Sequence, residues 1–245
     1  MSGSHLSGSA NPTHSFIFLH GYDCSGKFDA EHLSSWAHAN TTKYSGRRVV
    51  CPDAHLLKTS APGYKEEAVH SWYDFRNGEC ESADDEPILQ TLESSRHEIQ
   101  KIIKSEAGIV GIGNVFLGGV SQGCGTAFHS LSTLPLNLGK IGGIYGSIGH
   151  VMPCTDVSGI HKRINGPFVF YSGTDDDVMN WSWVKHSFAR LQDIPRVEIW
   201  REDGVKHEDD GHFIGFFLLR VMPPPTVKEQ LCAYDERDQK KTPLL

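Results

Sequence analysis

The chain has 245 residues, 38% hydrophobic and 22% charged, the proportions of an ordinary globular protein rather than of a disordered or membrane-embedded one. A formal net charge of -7 with no basic run excludes nucleic acid as a partner, because such binding rests on clustered Lys and Arg neutralising phosphates. The six cysteines are scattered without paired spacing, so neither a disulfide framework nor a Cys/His metal site is expected, and reduced thiols point to a cytoplasmic protein.

Residues 1–14 are rich in Ser and Gly and are expected to be disordered; they carry neither the cationic start nor the apolar stretch of a signal peptide. One α/β domain is expected over 15–222, since no linker divides it. Its first strand is the apolar run Ser15 to Leu19, opening into a loop at His20-Gly21. Arg47 to Cys51 reads as a second strand, stopped by Pro52. A long polar stretch from Asp53 to Asp85 follows, holding Trp72, Tyr73 and Phe75, and loops of that length tend to be functional.

Asp84, Asp85, Glu86 and Pro87 mark a helix start, and Ile88, Leu92, Ile99, Ile102 and Ile103 then share one face of an amphipathic helix ending near Gly108. Further strands are expected at Val115 to Leu117, Ile141 to Tyr145, Pro167 to Tyr171 and Val197 to Trp200. Helices are expected after Ser121, over Trp181 to Leu191 and over Phe213 to Val221, with a charged tail from 223 to 245. Strands alternating with helices imply a mainly parallel, doubly wound sheet covered on both faces. The most apolar late segment, Phe213 to Met222, is too short to span a bilayer, so no stable membrane insertion is expected.

The most informative stretch is Gly119-Val120-Ser121-Gln122-Gly123, directly after an apolar strand and before a helical pattern in Phe128, Leu131 and Leu134. This is the sequence form of a nucleophile elbow, in which a sharp turn lifts a serine to its apex and crowds the positions two before and two after, here both glycine. A serine hydroxyl is a poor nucleophile at neutral pH and needs a base, and the base needs a third group to hold its tautomer. In doubly wound hydrolases both sit on loops beyond later strands, in the chain order Ser, Asp, His. One such loop holds the three consecutive carboxylates Asp175-Asp176-Asp177, among which the pattern does not choose; the other leads to His207, with His212 as a second candidate. An oxyanion hole requires one N–H from the residue after the nucleophile, Gln122, and one from an early loop, where Gly21 lets the Tyr22 N–H turn inwards.

Taken together, Leu19-His20-Gly21, Ser71-Trp72-Tyr73-Asp74, the elbow, Ser172-Gly173-Thr174-Asp175-Asp176 and Gly204-Val205-Lys206-His207 resemble the acyl-protein thioesterase, lysophospholipase and carboxylesterase family of α/β-hydrolases, from about Phe16 to about Pro223. The resemblance implies an α/β-hydrolase fold, places the acid and the histidine each three residues after a glycine, and so selects Asp176 and His207. It also matches Ser71 to Asp74 to a serine-tryptophan-aromatic-aspartate motif of the family. The chain departs from the family pattern in Tyr22-Asp23-Cys24-Ser25-Gly26, Ser172, Cys124 and Asn180.

The expected activity is therefore hydrolysis of acyl esters or thioesters through Ser121, His207 and Asp176 and an acyl-enzyme, with Tyr22 and Gln122 at the oxyanion and no cofactor or metal. Expected substrates are an acylated protein, a lipid or a small ester, with the apolar part against Leu56, Leu57, Trp72 or Phe75, and the enzyme is expected to be a monomer or homodimer. Two other readings are a non-catalytic scaffold that binds a ligand in the same pocket, and a cysteine nucleophile at Cys24 or Cys124.

Overall fold

The computed structural model describes residues 3–39, 46–64, 66–76, 88–207 and 242–243. Eight strands form one sheet: β1 (Ser4–Gly8), β2 (His14–Leu19), β3 (Arg47–Pro52), β6 (Val115–Val120), β7 (Gly143–Ser147), β8 (Phe168–Gly173), β9 (Val197–Glu202) and β10 (Thr242–Pro243). Their order is β1-β3-β2-β6-β7-β8-β9-β10, parallel from β3 through β9, with β1 and β10 antiparallel at the edges. A separate antiparallel pair, β4 (His55–Leu57) and β5 (Val69–Ser71), occupies the long segment expected to be loop.

The central strands are buried on both faces, which is why their sequences run apolar without alternation. Alternate residues divide between two cores. Ile17 and Leu19 of β2 pack with α2 (Leu89–Val110), α3 (Gln122–Ser132) and α4 (Trp181–Ala189) through Leu92, Ile99, Phe128, Val184 and Phe188. Phe16 and Phe18 face the other way, against Ala30 and Leu33 of α1 (Gly26–Ala39).

The expectation that residues 1–14 are disordered is corrected: Ser4–Gly8 pairs along β3 from Pro52 to Arg48. The pairing supplies partners for an edge that a Ser- and Gly-rich sequence does not advertise, and His5 Nε2 lies 3.0 Å from Asp53 Oδ2. Helix α1 gave no clear sequence signal: among its described side chains, the apolar ones buried in the core on this face are Ala30 and Leu33, too few to mark a periodic stripe. The expected helix-start residues Asp84 to Pro87, the expected helix Phe213 to Val221, His212 and the tail from 223, apart from 242–243, lie outside the described residues.

From β2 the chain crosses to β3 on one side, and it later enters β6 on the other. The strand order thus reverses between β2 and β6, and ligands of open α/β sheets bind outside the carboxyl ends of strands at such a switch point. The register pairs Leu19 with Gly119, so His20-Gly21 and Val120-Ser121 leave the sheet side by side.

Candidate active site

Ser121 stands between β6 and α3 with φ 52 and ψ -118, a strained conformation for a residue with a side chain. The glycines around it are required by contact. A Cβ on Gly119 would meet the Gly123 carbonyl at 2.4 Å, and one on Gly123 would meet Leu19 O at 2.2 Å and His20 O at 2.6 Å. The elbow is thus clamped between its own helix and the end of β2.

Beyond β8 and β9 the two later loops are laced together. Thr174 N–H donates to Glu202 O (3.0 Å), Asp175 N–H to Val205 O (3.2 Å) and Gly204 N–H to Thr174 Oγ1 (3.1 Å). A Cβ on Gly173 would sit 2.0 Å from Val205 O, so this approach also demands glycine. The lacing brings His207 Nδ1 to 2.9 Å from Asp176 Oδ2 and 3.0 Å from Oδ1, and its Nε2 to 3.1 Å from Ser121 Oγ. Of the three consecutive carboxylates, Asp175 and Asp177 are exposed and Asp176 is buried. Its Oδ1 also accepts the N–H groups of Val178 (2.9 Å) and Met179 (2.6 Å), which lock the carboxylate toward the imidazole. The carboxylates do not cap α4; Asn180 does, accepting from the Ser182 N–H at 2.9 Å.

Gly21 lies against the elbow, with a virtual Cβ 3.6 Å from Ser121 Cβ. Among the described residues, neither the Tyr22 N–H nor the Gln122 N–H donates to a backbone carbonyl, and Gln122 opens α3, where the helix dipole favours negative charge.

Sequence reasoning missed what holds this loop. His20 is wholly buried; its Nε2 accepts the Ala54 N–H (3.0 Å), which leaves the ring proton on Nδ1 to be donated to Gly21 O (2.6 Å). Burial pushes His20 down from the ordinary 6.5 to about 4, so the ring is neutral near pH 7. The unfolded chain protonates this histidine near 6.5 and the folded chain near 4, so its contribution to stability is complete above 6.5 and is lost as pH falls from 6.5 to about 4. That contribution is about 3 kcal/mol. Urea unfolding is expected to show His20→Gln losing less stability than wild type between pH 7 and 4.5; parallel losses contradict the assignment.

Gln122 was expected to act through its N–H alone, yet its side chain also binds the Ser71 to Asp74 motif. Its Oε1 accepts from the Trp72 N–H (2.9 Å), and its Nε2 donates to Ser71 Oγ (2.9 Å) and Tyr73 O (3.0 Å). Trp72 Nε1 donates to His20 O at 2.7 Å, and the two rings pack with centroids 4.9 Å apart. Trp72 is fully buried, so its expected place in the substrate pocket is corrected: it ties the His20-Gly21 loop to the elbow from behind. Asp74 closes the motif by accepting from Ser60 N–H and Oγ, both at 2.6 Å.

Phe75 is half-buried and meets Tyr22 and Tyr64 edge-on, with centroids at 5.5 and 4.9 Å. Tyr64, unremarked in the sequence, completes this aromatic wall with Tyr22 at 5.3 Å. Leu56 on β4 is exposed and Leu57 half-buried. Cys124 is enclosed by the elbow helix and burial raises its thiol well above the usual range, so no thiolate is available there; Cys24 is exposed and Ser121 holds the apex. Among the described residues, no helix is long and apolar enough to cross a membrane.

Residues 6–217 match the phospholipase/carboxylesterase family. Over 213 residues, 83% of this chain and 86% of the relative, the sequence is 30% identical to an acyl-protein thioesterase 1 of Yarrowia lipolytica. Among solved structures it resembles Zea mays acyl-protein thioesterase 2, with a TM-score of 0.69 and 16% identity over 91% of this chain and 100% of that one. It also resembles a phospholipase/carboxylesterase from Dyadobacter fermentans, with a TM-score of 0.60 and 16% identity over 89% and 95%. At such identities these two structures speak for the fold, and the α/β-hydrolase fold expected from the sequence is the one they share. Sequence match and sheet topology agree: the chain belongs to the phospholipase/carboxylesterase family and is an esterase or thioesterase of the α/β-hydrolase superfamily.

Proposed function

We propose that Ser121 is the nucleophile of an acyl hydrolase acting on fatty-acyl thioesters or esters carried by a protein or a lipid. The observation that carries this reading is the 3.1 Å contact between Ser121 Oγ and His207 Nε2, with Asp176 on the opposite ring nitrogen.

In the reaction Ser121 Oγ adds to the acyl carbonyl carbon while its proton passes to His207 Nε2. Asp176 holds the Nδ1 proton and stabilises the imidazolium formed. The N–H groups of Tyr22 and Gln122 receive the oxyanion, a contribution of roughly 3 kcal/mol for each donor. The carbon–sulfur or carbon–oxygen bond then breaks, and the leaving thiol or alcohol takes the proton from His207. Water, giving a proton to the same nitrogen, attacks the acyl-enzyme and releases the fatty acid and the free serine. The acyl chain lies against the wall of Tyr22, Tyr64 and Phe75, with Leu56 and Leu57 at its edge.

Support for a fatty-acyl substrate comes from this apolar wall beside the oxyanion loop and from the name borne by the Yarrowia relative. The test is a series of S-acylated peptides and 4-nitrophenyl esters of increasing chain length. Turnover is expected to rise with acyl length and to depend on Ser121. A preference for acetyl groups over every longer chain overturns the fatty-acyl reading.

A further inference from the structure

Two buried polar side chains on the segment whose backbone touches the elbow have no hydrogen-bond partner among the described residues: the Ser147 hydroxyl, and both ring nitrogens of His150. Both stand at the carboxyl end of β7, the strand next to β6. The Ser121 N–H donates to Ser147 O at 2.9 Å, and a Cβ on Gly149 would meet Ser121 O at 2.7 Å, so this loop is in contact with the elbow backbone. Topology puts the Tyr22 loop on one flank of Ser121, beyond β2, and the His150 loop on the other, beyond β7.

The loop is firmly held. Arg190 donates to Met152 O (2.9 Å) and Thr155 O (2.6 Å), and the Val151 N–H donates to Ser187 Oγ (3.2 Å). Ile148 is kept at φ 38, a conformation that β-branched residues rarely adopt, with its N–H on Tyr171 O at 2.8 Å. Strain and fixed backbone together mark a preorganised position. The side chain so positioned nevertheless has nothing to bind, although an unpaired buried polar group is disfavoured and calls for an explanation. The His150 ring lies against Trp183 with centroids 4.0 Å apart, and burial pushes its pKa down to about 3. A neutral imidazole offers one donor and one acceptor, and a hydroxyl, which both donates and accepts, can pair with either nitrogen, whereas an ionised carboxylate or phosphate can only accept and so serves the N–H alone.

We infer that His150 is a specificity residue whose ring hydrogen-bonds a free hydroxyl of the substrate, with Trp183 packing on the carbon skeleton that bears it. The inference rests on Ser121 being the nucleophile. A free hydroxyl can come from either side of the ester, from a hydroxyacyl chain or from a polyol leaving group.

The test compares kcat/KM in two matched pairs: 4-nitrophenyl esters of a hydroxyalkanoic acid and of the plain acid of equal length, and a monoacylglycerol with the methyl ester of the same fatty acid. In the pair whose hydroxyl reaches His150, His150→Phe is expected to lower kcat/KM for the hydroxylated member about 10- to 100-fold and leave the plain one nearly unchanged, with His150→Gln restoring most of the preference. Equal effects on both members of both pairs overturn the inference. His150→Phe is also expected to keep or raise the thermal midpoint, because an apolar ring replaces an unpaired polar one; a lowered midpoint with unchanged preference assigns the ring to structure and overturns it too. Hydrolysis by Ser121→Ala sinks the underlying reading, whereas Ser121-dependent hydrolysis with unaltered preference in His150→Phe sinks this inference alone.

Discussion

Ser121→Ala is expected to lower kcat by on the order of a million-fold, with urea unfolding close to that of wild type, because the nucleophile of a hydrolase triad works as one unit with its base. Asp176→Asn is expected to cost about 10⁴-fold, for a reason visible in the geometry. The N–H groups of Val178 and Met179 both donate to Asp176 Oδ1, so an asparagine keeps its oxygen there, 3.0 Å from His207 Nδ1, and sets its amide NH₂ in the place of Oδ2, the shorter contact of that nitrogen at 2.9 Å. That nitrogen then has to accept, the ring proton moves to Nε2, and Nε2 loses the lone pair that takes the proton from Ser121. The double variant Ser121→Ala/Asp176→Asn should be no slower than Ser121→Ala. Steady-state kinetics on a 4-nitrophenyl ester check both statements, and an Asp176→Asn enzyme within tenfold of wild type contradicts the assignment of the acid.

The second large effect concerns folding. Gly123→Ala places a methyl group 2.2 Å from Leu19 O and 2.6 Å from His20 O, and all the opposing atoms are backbone with no rotamer to yield. Relief requires β2 to move away from the elbow, which breaks the pairing of Leu19 with Gly119 and displaces the Tyr22 loop. A loss of more than about 3 kcal/mol is expected, the upper end of what overpacking produces, together with loss of activity in whatever protein remains folded. Gly108→Ala is the control: Gly108 lies inside α2 with nothing within 4 Å of its virtual Cβ, and a gain of about 0.5–1 kcal/mol is expected from helix propensity. Urea denaturation followed by far-ultraviolet circular dichroism separates the two; equal midpoints for wild type and Gly123→Ala contradict the clamped elbow.

These two results bear on why parts of the site were legible in the sequence. The elbow was, since steric demand at Gly119 and Gly123 leaves glycine as the residue that fits, and that demand is local. The order of strands and loops pointed to the segments after β8 and β9, and residue spacing in the family resemblance picked Asp176 and His207, which the structure brings into contact. What separates Asp176 from its neighbours physically, burial under two N–H donors, arises only once the loop after β8 folds back on itself. The rest was hidden because it depends on contacts across long sequence separations. Gln122 reaches Ser71 and Tyr73, His20 reaches Ala54, and Trp72 closes on His20, none of which leaves a periodic trace. Trp72 illustrates the ambiguity: an indole near an active site suits a pocket wall or a buried brace, and complete enclosure decides for the brace. Strand β1 was hidden differently, since its Ser- and Gly-rich residues form a strand only by borrowing the edge of β3.

The central claim, that Ser121, His207 and Asp176 form one nucleophilic unit, is tested most directly by a fluorophosphonate probe followed by peptide mapping of the labelled site. Labelling is expected at Ser121 in wild type, much more slowly in His207→Ala, and not at all in Ser121→Ala. Covalent label on any other residue, or equal labelling rates in wild type and His207→Ala, contradicts the claim.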